Sequence, residues 1–507
     1  MAFPVFAIRG IDLFADRLKR VPEVVACDGA ELPGGRRLRR SGITKTSSLA
    51  TKAASRTPLS TASPKTRTTA QNHVLREPMT QSIEVFLCDP NAVLRGKWLP
   101  GSALAKLSNG VAFPFSLLGC DVWGREVHET GLHIDSGDKD ALCLPVEGRT
   151  VGVPWADHPT QQAMLTMHHA DGTPFMGDPR HVLAAQVEKL ADRGLTANVA
   201  IELEFYVYER SADSGRPRPT GSMTPGPDHQ DMYALRDLDR QRPLMDAIQQ
   251  ACADQGLPID AFVSEAAPGQ YEVNLKHRDP LGAADDAVML KRLITQIAHK
   301  QGTDVTFMAK PFADHPGNGL HVHVSLTDAN GPIFADPQSG TTKLYHAVQG
   351  LLATMEEAQL GFVHTYNGFR RMQPGSYAPA SLSWGENNRS VAIRLPEAEP
   401  HARRLEHRLA GADANPYIIT ALVLAGMLKG MEEANDPPTA VDGNAYTDSS
   451  LTHLSPFMDD AVERFATSPF VAQALGSEFC RIFCAVKRAE YATFAGHITN
   501  LEHQIFL

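Results

Sequence analysis

The chain has 507 residues, of which 43% are hydrophobic and 21% charged, the composition of a folded globular protein with room for two or three domains. Seven cysteines without a CxxC give neither a disulfide framework nor a zinc site, and no uncharged apolar run reaches the roughly 18 residues a membrane span requires. The net charge of −10 conceals an asymmetry: residues 1–78 hold 14 Lys and Arg against 6 Asp and Glu, the remainder 34 against 52, so nucleic acid is a poor partner for the acidic body, which better suits a cationic substrate or a bound metal.

In chain order, residues 31–78 are rich in Ser, Thr, Arg and Lys and carry no apolar pattern. The segment 1–78 is therefore expected to be a disordered basic extension. It could be a targeting peptide, a basic tail, or the product of a mis-assigned start. Met79, just before the strand-like SIEVFLCD, favours the last. From 82 to 152 short strands alternate with turns (SIEVFLCD, GVAFPFSLLGCD, ALCLPV), which predicts a small β-rich domain. From about 158 helices and strands alternate. Asp178-Pro179 opens a helix carrying Leu183, Val187 and Leu190 and stopped by Gly194. Asp279-Pro280 opens another, with Ala287, Leu290, Ile294 and Ile297 on one stripe. Asn415-Pro416 caps an apolar stretch, Tyr417–Met431, that reads as a buried helix. Cys480 and Cys484, one turn apart, are expected as reduced thiols.

Four strands share an unusual polar face. In ANVAIELEFYVYE, Val199, Ile201, Leu203, Phe205 and Val207 lie on one side and Glu202 and Glu204 on the other. In LHVHVSL, His321, His323 and Ser325 oppose four aliphatic residues. In YEVNL, Glu272 and Asn274 oppose Tyr271, Val273 and Leu275. In RLEHRL, Arg404, Glu406 and Arg408 oppose Leu405, His407 and Leu409. A merely solvated face would carry Lys, Thr, Ser and Gln. Crowded carboxylates, including Glu265 and Glu272 around a Pro-Gly turn, cannot all ionise unless cations lie between them. Carboxylate oxygens with a single histidine favour Mg²⁺ or Mn²⁺ over zinc. Arginines crowd into residues 366–408: Arg370, Arg371, Arg389, Arg394, Arg403, Arg404 and Arg408. Their forks suit phosphate and carboxylate. No P-loop or kinase signature set occurs, so ATP would be held by metals and arginines on a sheet.

Taken together, IELEFYVY, SEAAPGQYEVNL, GNGLHVHVSL, RRMQPGSYAP, NNRSVAIRLP, RRLEHRLAGADANPY and LRGKWLP resemble the glutamine synthetase superfamily from about residue 82 to the end. The resemblance implies an α+β fold: a β-grasp domain at 82–152 and a catalytic domain at 158–507 with a curved antiparallel sheet and helices. It also implies a cytoplasmic homo-oligomer, a double-ring dodecamer, with active sites between subunits. By resemblance, one metal would use Glu204, Glu265 and Glu272, and a second Glu202, His321 and Glu406. His323, Arg394 and Arg404 match nucleotide-binding positions, and Arg389 the arginine on the transferred phosphoryl group. Gly317, Arg371 and Arg408 match positions around the glutamate substrate, and Asp121 the aspartate that helps deprotonate ammonium.

Two departures are informative. Tyr377 in PGSYAP replaces the flap glutamate that closes an ammonium pocket, and Pro316 replaces an asparagine beside the substrate. SWGENNRS and PGSYAP are most similar to gamma-glutamylpolyamine synthetases, which join L-glutamate to putrescine or similar amines through a γ-glutamyl phosphate. The alternatives are ordinary glutamine synthetase using ammonia, a ligase for another small amine, and a non-catalytic structural homologue. Tyr446 falls near the family's adenylylation tyrosine, but the acidic context is missing and no adenylylation is expected.

Overall fold

Two sheets build this chain, one with its central strands covered on both faces and one whose strands alternate apolar and polar side chains. The computed structural model describes residues 80–506 apart from 211–216, 221–231 and 374–375. The basic extension expected over 1–78 lies outside the described residues, all of which belong to one unit, Leu75–Leu507.

The first sheet contains β1 (Ser82–Cys88), β2 (Leu94–Pro100), β3 (Val111–Pro114), β4 (Asp140–Gly152) and β5 (Thr160–His168), in the order β2-β1-β5-β4-β3. β1 and β5 are parallel, and the other pairs are antiparallel. Ile83, Val85 and Leu87 pack with Ala163, Leu165 and Met167 on one face. Phe86 and Met164 on the other face join the main core. Both faces of β1 are thus covered, which explains its almost unbroken apolar run. The sheet extends past residue 152, since β5 lies at its centre. GVAFPFSLLGCD forms a strand only as far as Pro114; proline lacks the N–H a ladder needs, and Phe115–Gly119 turn into a 3₁₀ helix.

The second sheet contains β6 (Thr196–Arg210), β7 (Pro217–Pro219), β8 (Ile259–Ser264), β9 (Gln270–Leu275), β10 (Asp304–Thr306), β11 (Leu320–Asp328), β12 (Gly331–Pro332), β13 (Trp384–Glu386), β14 (Ile393–Leu395) and β15 (Leu405–His407). Its main path is β13-β14-β15-β11-β6-β9-β8, antiparallel except for the parallel edge pair β13 and β14. The apolar face, Val199, Ile201, Leu203 and Phe205 with Val273, Val322 and Leu405, packs into one core with Leu290 and Ile294 of the helix Pro280–Lys300. The helix starts form as their sequences require. Asp178 accepts from Arg180 N–H at 2.9 Å, Asp279 from Gly282 N–H at 2.8 Å, and Asn415 from Tyr417 N–H at 3.0 Å.

A buried ion cluster fastens β4 to three helices. Arg149 donates to Asp286 at 2.6 Å, while Asp285 accepts from Arg180 at 2.9 Å and from the Tyr417 hydroxyl at 2.7 Å. Because every charge has a partner, the cluster holds; removing one member would strand the others in a medium that solvates them poorly.

Candidate active site

Strand register brings the four polar faces together. Glu202 pairs with His321 on one side and Asn274 on the other, and Glu204 pairs with Glu272. Glu406 lies between His323 and Arg394. The residues expected to bind metal therefore form one wall, with Glu265 arriving from the turn between β8 and β9. Glu202 is its centre, facing His321 Nδ1 at 3.0 Å and His323 Nε2 at 2.9 Å. Arg404 Nε lies 3.3 Å from His323 Nδ1; in the neutral ring this makes Nδ1 the acceptor and leaves Nε2 as the donor to Glu202. Distances group the ligand atoms somewhat differently from the expected division. Glu202, Glu272 and His321 lie within 4.8 Å of one another, as do Glu202, His323 and Glu406. The reason is register: both histidines project from the same face of β11, His321 directly opposite Glu202 and His323 diagonal to it, opposite Ala200.

Glu204 lies 3.8 Å from His321 Nε2 and accepts from Gly319 N–H at 2.7 Å and from Gln270 at 3.4 Å. Gln270 also donates to the Gly317 carbonyl at 3.0 Å. It was legible in principle, since residues 270, 272 and 274 share one face of β9. Gly317 is required by close approach: a Cβ there would lie 2.5 Å from the Ala309 carbonyl oxygen and 2.7 Å from Arg371 Cγ.

The charges on this wall are far from neutral water values. Burial pushes Glu265 up to about 7, with Glu204 and Glu202 adding repulsion and Arg389 partly offsetting it. Burial, Glu202, Glu204 and Glu265 together push Glu272 well above the usual carboxylate range. Burial also opposes ionisation of Glu406, but Arg408, His323 and His321 outweigh it and hold it down to about 2. The histidines likewise hold Glu202 well below its ordinary value against burial. His407, on the opposite face, packs on Phe362 with ring centroids 4.3 Å apart, and burial lowers it to about 3; it belongs to the core.

These shifts predict a stability profile. Glu265 and Glu272 have folded-state pKa values above those of the unfolded chain. Both ionise first in the unfolded state, so metal-free stability falls as pH rises from about 4.5 through 7. Glu202 and Glu406 have the opposite sign and act only below that window. A divalent cation among the carboxylates would remove the penalty. We expect the melting temperature of chelator-treated protein to fall between pH 5.5 and 8, and Mg²⁺ or Mn²⁺ to raise it more at pH 8. An equal gain at both values would contradict a metal at this wall.

Two cavities meet at Glu202 and Asn274. One, of about 540 Å³, is lined by the carboxylates and by Gly317, Tyr377, Arg389, Arg408 and Tyr446. The other, of about 570 Å³, is lined by His323, Ser325, Lys276, His277 and Arg404. Arg394 donates to Glu406 at 2.8 Å, and Arg408 donates to its other oxygen. Arg371 is buried and donates to the Leu409 carbonyl at 2.8 Å; its Nε, like those of Arg394 and Arg408, finds no partner among the described residues. Arg370 and Arg403 turn elsewhere, to the Tyr366 ring and the Thr341 hydroxyl. Asp121 is on neither cavity wall. Its carboxylate accepts from Arg125 Nε at 2.7 Å and from the N–H groups of Trp123 and Arg125.

The family description "Glutamine synthetase, catalytic domain" matches residues 176–506. Gamma-glutamylputrescine synthetase PuuA of Escherichia coli (strain K12) is 37% identical over 445 residues, covering 85% of this chain and 93% of that protein. Glutamate–isopropylamine ligase of a Pseudomonas species is 32% identical, covering 83% and 94%. The gamma-glutamylethanolamide synthetase GlnA4 of Streptomyces coelicolor is 31% identical, covering 69% and 75%. Among solved structures, one described as a GmaS/ADP complex superposes with a TM-score of 0.74 at 26% identity, covering 85% of this chain and 98% of that one.

Proposed function

This chain belongs to the glutamine synthetase family and is an ATP-dependent glutamate–amine ligase, and we propose that its amine is putrescine or another primary alkylamine rather than ammonia. The observation that carries the proposal is Tyr377 on the wall of the carboxylate cavity, where resemblance to ordinary glutamine synthetases calls for a glutamate. A flap glutamate supplies a charge beside a very small cation. A tyrosine supplies an apolar wall and a π face, which serve an alkyl chain and its cationic end. Tyr377 is held at φ +53, a conformation bulky side chains seldom adopt.

The donor set fits divalent cations, because five carboxylates and one histidine offer oxygen-rich ligation and two of the carboxylates resist ionising alone. Glu204, Glu265 and Glu272 would hold one ion and Glu202, His321 and Glu406 a second, of Mg²⁺ or Mn²⁺. Such ions would supply charge neutralisation on the ATP phosphates. A cation at Glu406 would also release Arg394 and Arg408 toward substrate anions. ATP occupies the cavity of His323 and Arg404, with Arg394 on its phosphates. L-glutamate lies across the wall beside Gly317, held by Arg371 and Arg408, the latter lining the carboxylate cavity.

A γ-carboxylate oxygen of glutamate attacks the γ-phosphorus of ATP, and the bond to the β-phosphate oxygen breaks, leaving ADP and γ-glutamyl phosphate. Arg389, exposed to the cavity, neutralises charge on the transferred group. The alkylammonium loses a proton, its nitrogen attacks the acyl carbon, and phosphate leaves as the amide loses a second proton. Asp121 is the acceptor or cation anchor in this reading. Asp121 lines neither cavity of its own chain, so this reading takes the site to be shared between subunits of a homo-oligomer, a double-ring dodecamer in the cytoplasm.

Tyr377→Glu tests the reading. It should narrow the preference for putrescine over ammonium by roughly 1–2 kcal/mol in kcat/KM, the worth of one restored charge contact. An unchanged preference would remove Tyr377 as its cause.

A further inference from the structure

Beside Tyr377 on the wall of the carboxylate cavity, a second aromatic ring has no role in the chemistry derived so far. Tyr446 lines the same cavity, its ring centroid 6.3 Å from that of Tyr377 and its plane at 83° to it. The two rings make a right-angled corner. The loop that carries Tyr446 is tied down at several points. Asn388 Nδ2 donates to the carbonyls of Val441 and Gly443, each at 2.8 Å. Ala445 N–H donates to Ser390 Oγ at 2.9 Å. The Tyr446 hydroxyl donates to the Arg389 carbonyl at 3.4 Å. The ring is therefore placed by the same segment that presents Arg389. Arg408 and Arg371, which the proposed function assigns to glutamate, lie within electrostatic reach of its phenol.

We propose that Tyr446 is a specificity-determining residue: its ring is the second wall of the amine pocket and selects alkylamines over ammonium by covering their methylene chain. The inference rests on the alkylamine reading above. Each methylene buried against such a corner favours binding by about 4-fold, whereas ammonium has no methylene to bury. The hydroxyl has a separate task, bracing the backbone of Arg389, and that task is common to every amine.

The two tasks separate in the steady state. kcat/KM is measured for putrescine, for shorter monoamines and for ammonium, with ATP and L-glutamate saturating, on the assembled enzyme. Tyr446→Phe keeps the ring, so it lowers kcat for all amines by one factor and leaves the putrescine-to-ammonium ratio within about 2-fold. Tyr446→Ala lowers that ratio by about 10-fold or more, chiefly through the KM of putrescine, and flattens the dependence on chain length. Equal losses for putrescine and ammonium in Tyr446→Ala would overturn the inference and reduce Tyr446 to a brace for Arg389. If Tyr446→Ala fails to assemble, Tyr446→Trp decides: a narrower corner penalises putrescine more than ammonium, and an equal effect on both overturns the proposal. A wild-type preference for ammonium would defeat the alkylamine reading and this inference with it. A wild-type preference for putrescine that survives Tyr446→Ala unchanged defeats this inference alone.

Discussion

Glu272→Ala is expected to lower turnover by about 10³-fold or more, because a wall that loses one ligand to a cation loses several kcal/mol of charge stabilisation in phosphoryl transfer. The fold should survive. Glu272 lies on β9 between Tyr271 and Val273, both in the core, and neither contact depends on its carboxylate. Its removal also relieves repulsion from Glu202, Glu204 and Glu265. The metal-free variant should therefore melt at or above the wild-type temperature, while the gain on adding Mg²⁺ or Mn²⁺ shrinks. Turnover, melting with and without chelator, and the assembly state together check this. A variant that turns over normally, or one that stays inactive but keeps the full metal-induced gain, would place the metal elsewhere.

Arg389→Lys carries the second large effect. Arg389 is exposed to the carboxylate cavity, and its backbone is braced by Asn388, Ser390 and Tyr446. A fork aimed from a fixed backbone stabilises charge on three equatorial oxygens as it forms; one ammonium on a flexible stem does not. kcat should fall by about 10² or more with the KM for ATP little changed. A loss confined to KM would identify simple ground-state binding. Because Arg389 also lowers Glu265 through space, and lysine keeps that charge, the metal-induced gain in melting temperature should be retained.

Much of this site could be read from alternation alone. Glu202 and Glu204 oppose five aliphatic or aromatic neighbours on β6, and His321, His323, Glu272 and Glu406 repeat the pattern on adjacent strands. A period of two assigns faces without knowing which strands pair. It does not give partners. That Glu202 would face both histidines, and that Arg394 would join Arg408 at Glu406, follows only from register. Sequence distance hid β5, which completes the first sheet after a turn. Pro114 was the signal that β3 would be short. In sequence, Tyr446 reads only against a modification site, from which the missing acidic context excludes it. Its place beside Tyr377 arises from hydrogen bonds to Asn388 and Ser390, more than fifty residues away.

The central claim is that this ligase prefers an alkylamine to ammonia. The direct measurement is the initial rate of ADP release by the wild-type enzyme with L-glutamate, ATP and Mg²⁺ or Mn²⁺, comparing ammonium with putrescine and a panel of primary amines, and the product identified by mass. The expected result is a γ-glutamyl amide formed with higher kcat/KM from putrescine or another primary amine than from ammonium. Faster ADP release with ammonium than with every amine, and glutamine as the product, would contradict it.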